Sequence, residues 1–346
     1  MLLTLPAASF TDAAGNANAL ISANAVTIDR TPPTATLTTT ATVTRATSIL
    51  YTATFSEPVT GVVAGDFAIT GTSSGWSVAS VAGSGSSYTV TLSGAAATDG
   101  SVVVTMAANT GTDAAGNTGP AAPVVATTVT ADRTPPSVSA FSAVTASPTN
   151  GRSLVATLSL SESVSGVAAG DFSISGSSSG WSVSSVSGSG AGPYTVTLAA
   201  ASPPDGTVVL SMSTGSVADA AGNTGPASAP SALSWTIDRT APAITAFAPT
   251  TRSPSNSGTA TYTLSFSEPV SGIDASKFTI LVATGWAIAS VDGSGAGPYT
   301  VTLTNGAPAD STLGLRLAAG AVSDPAGNTA PATAQSASPT LTIDVT

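Results

Sequence analysis

The pentapeptide DAAGN opens at Asp12, Asp113 and Asp219 and returns as DPAGN at Asp324, at steps of 101, 106 and 105 residues. Repetition at a fixed period constrains a fold more tightly than any local propensity. Other segments keep the same step. GWSVASVAGSG at Gly75 returns as GWSVSSVSGSG at Gly180 and GWAIASVDGSG at Gly285. FSEPVTG at Phe55 returns as LSESVSG at Leu160 and FSEPVSG at Phe266, and IDRTPP at Ile28 as ADRTPP at Ala131 and IDRTAP at Ile237. A period of about 105 residues is the size of one ordinary domain, not of a solenoid repeat.

The Asp-Arg-Thr-Pro segments separate the copies. Proline fixes φ and denies a ladder donor, so a short stiff joint is expected at each. The reading is three domains, residues 30–132, 133–238 and 239–346, preceded by residues 1–29, which match only the last part of a repeat. Two strands alone bury too little to stand by themselves, so this remnant is expected to pack poorly. A chain built this way reads as a section of a longer array.

Each copy alternates with period two. Ile49, Tyr51, Ala53 and Phe55 fall on one face of SILYTATF, matched by Leu154, Ala156, Leu158 and Leu160 and by Ala260, Tyr262, Leu264 and Phe266. In YTVTL, Tyr88, Val90 and Leu92 face inward. The 34 Gly and 23 Pro break a Thr- and Val-rich chain into short strands. Seven strands in about 100 residues predict an all-β fold of tandem immunoglobulin-like sandwiches. Trp76, Trp181 and Trp286 read as core residues.

Composition removes several functions. The net charge is −10 with eight Lys and Arg, which excludes a nucleic-acid groove and disfavours anionic membranes. Without Cys or His there is no disulfide, no zinc site of the usual ligands and no Ser-His-Asp or Cys-His catalysis. No apolar run reaches membrane-spanning length, and the start lacks the form of a signal peptide, so an export signal is expected outside this chain.

Of the 18 acids, only Asp274 and Asp292 fall outside fixed places in the repeat. Scattered solubilising charge does not explain that order. If the strands run alternately down and up, the linker Asp, the Glu after the second strand and the DxAGN loop before the seventh all reach one end of a sandwich. The first set is Asp29, Glu57, Asp113 and Asn117. The second is Asp132, Glu162, Asp219 and Asn223, and the third Asp238, Glu268, Asp324 and Asn328. Crowded carboxylates repel unless a cation neutralises them. Calcium, which takes six to eight oxygens including carboxylates and carbonyls, fits such a set. The plainer reading is a tight turn, with an Asx bond at Asp and a left-handed Gly or Asn. Asp99, Asp205 and Asp310 lie at the opposite end, where a turn is the first reading and a reach to the next joint the second.

Taken together, FSEPVTGVVAGDF, YTVTL, the late Asp-Gly, DAAGN and DRTPP resemble the bacterial Ig-like (Big) repeats of large surface adhesins and biofilm proteins. The resemblance covers all three copies and the remnant. It implies an extracellular or cell-surface location, with calcium at or near the joints. Ser163 departs from the SEP motif, Lys277 from GDF and Ala241 from the linker Pro-Pro. Lys277 puts a ligand role for Asp66 and Asp171 in doubt.

The function expected is a non-enzymatic stalk or spacer of an adhesin. Its partners are neighbouring repeats of a longer chain, and each sandwich adds roughly 40 Å at about 3.3 Å per strand residue plus loops. The alternatives are a glycan- or protein-binding module, with ILVATGW (Ile280–Trp286), Lys277, Asp274 and Asp292 of the third repeat as the candidate patch and ordinary drift as the plainer reading of those differences, and a spacer in a secreted enzyme or toxin.

Overall fold

The computed structural model describes all 346 residues. The chain separates into two compact units: Met1–Pro135 with Ala218–Thr224, and Pro136–Val217 with Gly225–Thr346.

In the first unit, residues 1–29 form one short ladder, Thr4–Leu5 against Ile21–Ser22. Leu2, Leu3, Phe10, Leu20, Ile21 and Ile28 all stay exposed, as a two-stranded ribbon with no second layer requires. The sandwich that follows has two sheets. One pairs Ala35–Thr38, Ser48–Val59 and Ser77–Ser93 in antiparallel order. The other is centred on Gly100–Met106, which pairs Phe67–Thr70 on one edge and Val124–Val125 and Val129–Ala131 on the other. Ser77–Ser93 is the fourth and fifth expected strands run together, and the chain passes between them through Gly83 and Gly85, both at positive φ.

The second unit holds two sandwiches of the same plan. In one, Val138–Ala143, Ser153–Leu160, Tyr194–Ala199 and Ser182–Ser187 form the first sheet; Phe172–Ser175, Gly206–Met212 and Leu233–Ile237 form the second. In the other, Ile244–Pro249, Thr259–Phe266, Tyr299–Thr304 and Ala287–Asp292 face a sheet centred on Ser311–Leu317. Counted as first to seventh strands, the sheets order 1-2-5-4 and 3-6-7, the constant-type immunoglobulin arrangement.

The first strand also changes sheets. After leaving the second strand it meets the seventh in parallel, through Val43–Thr44 beside Thr130–Ala131, Thr149 beside Ile237 and Ser255 beside Ile343. This crossing carries the next residue, Arg45, Asn150 or Asn256, to the C-terminal end of its sandwich.

Alternation predicts the core correctly. Tyr51, Ala53, Leu154, Ala156, Leu158, Ala260, Tyr262 and Leu264 are fully buried, while the intervening Thr and Ser face out. The tryptophans are core residues. Trp181 and Trp286 are buried, and Trp76 is half-buried against the first core. Trp76 Nε1 donates to Ser73 Oγ at 2.9 Å and Trp181 Nε1 to Ser178 Oγ at 3.1 Å, which satisfies their one polar atom.

Two equivalent tyrosines differ. Tyr262 donates its hydroxyl to the Leu313 carbonyl at 2.9 Å, and burial pushes its pKa up to about 12. The Tyr51 hydroxyl is buried with no partner. An orphaned hydroxyl costs its desolvation, whereas a made bond contributes on the order of 1 kcal/mol. Tyr51→Phe is therefore expected to be neutral or stabilising and Tyr262→Phe to cost about 1 kcal/mol. Denaturant melts of the two variants check the opposite signs.

The departure at Lys277 is compensated. Asp66 Oδ2 and Asp171 Oδ2 each accept a backbone N–H, from Val63 and Ala168 at 2.8 Å, and so close the short 3-10 turn before the third strand. Where the third repeat has Lys277, Asp274 moves to the front of that turn and accepts from Ser276 N at 2.7 Å. The acid keeps its turn-closing work and changes position.

Candidate metal centre

The DxAGN loop is built from within. Asp113 Oδ1 accepts from Ala115 N and Asn117 N at 2.8 Å each, and Asp113 Oδ2 from Asn117 Nδ2 at 2.8 Å. Gly116 sits at φ 92°, a conformation that a side chain strains. Asp219 with Asn223 and Asp324 with Asn328 repeat the pattern. So does Asp12 with Asn16 in the exposed remnant, where no sandwich supports it. The turn reading is thus correct as local geometry.

The loop also reaches the linker. Asn117 Nδ2 donates to the Asp29 carbonyl at 3.4 Å, Asn223 Nδ2 to that of Asp132 at 3.0 Å and Asn328 Nδ2 to that of Asp238 at 2.9 Å. Gly119 explains the close fit: a β-carbon there would lie 2.0 Å from the Pro33 carbonyl oxygen. Each linker Asp forms its own Asx turn, with Thr31 N on Asp29 Oδ1 at 2.9 Å and Thr240 N on Asp238 Oδ1 at 3.1 Å.

With linker and loop fastened, the carboxylates converge. In the first unit, oxygens of Asp29, Glu57 and Asp113 lie within 4.8 Å of one another, and in the second unit so do those of Asp238, Glu268 and Asp324. Of the remaining set, Asp132, Asp219 and Asn223 belong to the first unit, while Glu162 follows the strand Ser153–Leu160 of the second. Asp113 and Asp324 are buried. The Asn117 side chain, together with the loop amides, lowers the Asp113 pKa. Glu57 is pushed up by desolvation and then by the charges of Asp113 and Asp29. Glu268 is pushed up by desolvation and then by Asp238, Asp324 and Asp205.

The donor set suits a hard cation. It offers carboxylate oxygens from three chain segments, and the negative charges of Asp113 and Asp29 already press on Glu57. The asparagines act differently from the carboxylates. Their nitrogens fasten loop to linker, so only the amide oxygen is left for an ion, and at Asn328 that oxygen accepts from Asn150 Nδ2 at 3.2 Å.

A raised carboxylate pKa has a definite sign in stability. The folded state holds its proton more tightly than the unfolded chain, so stability is lost as pH rises through the folded pKa. Without a divalent cation, Glu268→Gln is expected to melt above the parent at pH 7, and the gap to close as the solution is acidified through the carboxylate range. Were calcium to bind the cluster, the order would reverse in its presence. Calorimetry at several pH values reads both.

Asp99, Asp205 and Asp310 lie at the far end, as strand direction predicts, and of the two readings open there the second, a reach to the next joint, is the one the structure shows, in place of the plain turn ranked first. Asp99 accepts from Arg133 N at 2.8 Å and from the Thr134 hydroxyl. Asp205 accepts from Arg239 N at 2.6 Å and from the Thr240 hydroxyl, and Asp310 from Val345 N at 2.8 Å. The reason is register. Gly100 pairs Ala131, Gly206 pairs Ile237 and Ser311 pairs Ile343, so the residue before the sixth strand meets the residues after the seventh. Antiparallel pairing of these neighbours was the signal available in the sequence. Arg133 adds a second anchor. Its guanidinium donates to the Ala97, Ala46 and Gly94 carbonyls and lies 5.7 Å from the Trp76 ring centroid.

A family model described as bacterial Ig-like domain matches residues 29–129, 132–234 and 238–343. Among solved structures, invasin, described as a bacterial integrin-binding protein, is 15% identical with a TM-score of 0.30, over 83% of this chain and 57% of that one. Domains 1–6 of the surface layer protein SbsC are 12% identical with a TM-score of 0.21, over 90% and 54%. The D0-D1 domain of intimin is 18% identical with a TM-score of 0.18, over 60% and 98%. This chain thus spans just over half the length of the first two. No curated protein matches it. The three sandwiches, their shared loop and the three matched segments make the chain a member of the bacterial Ig-like domain family.

Proposed function

We propose that the chain is a stalk section of a bacterial surface or secreted adhesin, non-enzymatic, with calcium stiffening the joints between consecutive sandwiches. The observation that supports this most directly is the third carboxylate cluster. Asp238 comes from the linker, Glu268 follows the second strand and Asp324 opens the sixth-to-seventh loop, yet their oxygens lie within 4.8 Å. Asp29, Glu57 and Asp113 would hold an ion in the same way at the first joint. Bound there, calcium would supply the positive charge that three converging carboxylates lack. Millimolar calcium suffices for a site with Kd on the order of 10⁻⁴–10⁻³ M. The acids recur once per repeat instead of pairing in a single cleft, which favours a structural role over hydrolysis.

Small-angle scattering of the chain in calcium and in chelator tests the stalk. The expected result is a narrower, more extended distance distribution in calcium. Identical profiles in both conditions would remove calcium from the joint.

A further inference from the structure

The second unit contains a contact between repeats that uses no charge. Where the first strand crosses to the other sheet, Thr149 is fixed on both sides: its N–H donates to the Thr236 carbonyl at 3.0 Å, and its carbonyl accepts from Asp238 N at 3.1 Å. The next residue, Asn150, leaves the second sandwich and meets the loop of the third. Asn150 N donates to the Ala326 carbonyl at 3.2 Å, and Asn150 Nδ2 to Asn328 Oδ1 at 3.2 Å. Asn328 Nδ2 in turn donates to the Asp238 carbonyl at 2.9 Å. Amide thus joins amide, and amide joins linker, across the two repeats.

We infer that Asn150 is a positioning residue that docks the Asp324–Asn328 loop of the third repeat onto the second without any metal. The position does similar work elsewhere. Its counterpart in the first repeat is Arg45, whose Nε lies 3.7 Å from where a β-carbon on Gly222 would sit, so it too lies against a DxAGN loop, within the first unit. The outgoing linker is separately tied to its own sandwich by Asp205, which holds Arg239 N and Thr240. Linker and loop are therefore both seated by neutral or singly charged hydrogen bonds, and the carboxylate cluster lies beside a joint already in register. This docking stands apart from the calcium reading and does not depend on it.

Spin labels on Ser173→Cys and Thr279→Cys, exposed third-strand positions of the two repeats, report the joint in the full chain, which has no cysteine of its own. The distance distribution is recorded in chelator. The parent is expected to give one defined peak, which calcium would sharpen further under the proposed function, and Asn150→Ala to lose that peak in chelator. Asn150→Asp, which replaces the donor with a charge near Asp238 and Asp324, is expected to lose it more completely. Asn256→Ala, the same change where no loop of this chain sits, should leave the peak in place. A parent with no defined peak in chelator, a parent-like peak in Asn150→Ala, or equal broadening by Asn256→Ala would overturn the assignment. Because every decisive reading is taken without calcium, failure here is distinct from failure of the calcium proposal.

Discussion

Trp235→Ala is expected to destabilise the second sandwich by about 3–5 kcal/mol, the range for truncating a large buried aromatic. Trp235 is 1% exposed and stands on the seventh strand, opposite Val208. Its Nε1 donates to the Thr145 carbonyl at 3.0 Å, so truncation both opens a cavity and strips a partly buried carbonyl of its donor. The other repeats place Val129 and Leu341 there, which are smaller and have nothing to donate. Trp235→Leu should then recover most of the packing while still losing the hydrogen bond. Denaturant unfolding followed by tryptophan fluorescence, with Trp181 as the remaining reporter in that repeat, gives the two values. A loss below about 1 kcal/mol for the alanine variant would mean that the site collapses around the deletion.

The second large effect follows from the proposed calcium sites. A ligand that binds only the folded state stabilises it by about 2.7 kcal/mol at a hundredfold excess over its Kd. For a domain near 100 residues that is a rise in Tm on the order of 10 °C. Asp324→Ala is expected to abolish the rise for the third repeat. It removes a proposed ligand and also the acceptor of the Asn328 N and Nδ2 bonds, so the calcium-free Tm should fall as well. Glu268→Gln separates the two effects, because Glu268 builds none of the loop's bonds. It should cancel the calcium gain without the calcium-free loss. A parent chain whose Tm is the same in calcium and in chelator would rule out calcium-dependent stiffening.

Much of this fold could be read from the period and the alternation. Tyr51, Leu158 and Leu264 lie inward because period-two spacing leaves them no other face once one face is Thr and Ser. The convergence of Asp238, Glu268 and Asp324 was also legible, since strand direction alone delivers second-strand ends and sixth-to-seventh loops to one pole. What stayed hidden depends on register and on backbone acceptors. The grip of Asp205 on Arg239 and Thr240 needs the pairing of Gly206 with Ile237, and the seat of Arg133 consists of carbonyls that have no sequence signature. Asp274 looked like drift because its compensation for Lys277 lies in a three-residue turn. The second task of the DxAGN asparagine, its nitrogen on the linker carbonyl, likewise has no sequence signature.

The crossing of the first strand has a mechanical meaning. Val43–Thr44 runs parallel to Thr130–Ala131, and Thr149 and Ser255 meet Ile237 and Ile343 in the same sense. Tension drawn along the chain pulls such a pair in opposite directions along their common axis. Its bridging hydrogen bonds must then shear together instead of parting one by one like a zipper. A tether exposed to flow would carry its load on these short parallel clamps, one in every sandwich.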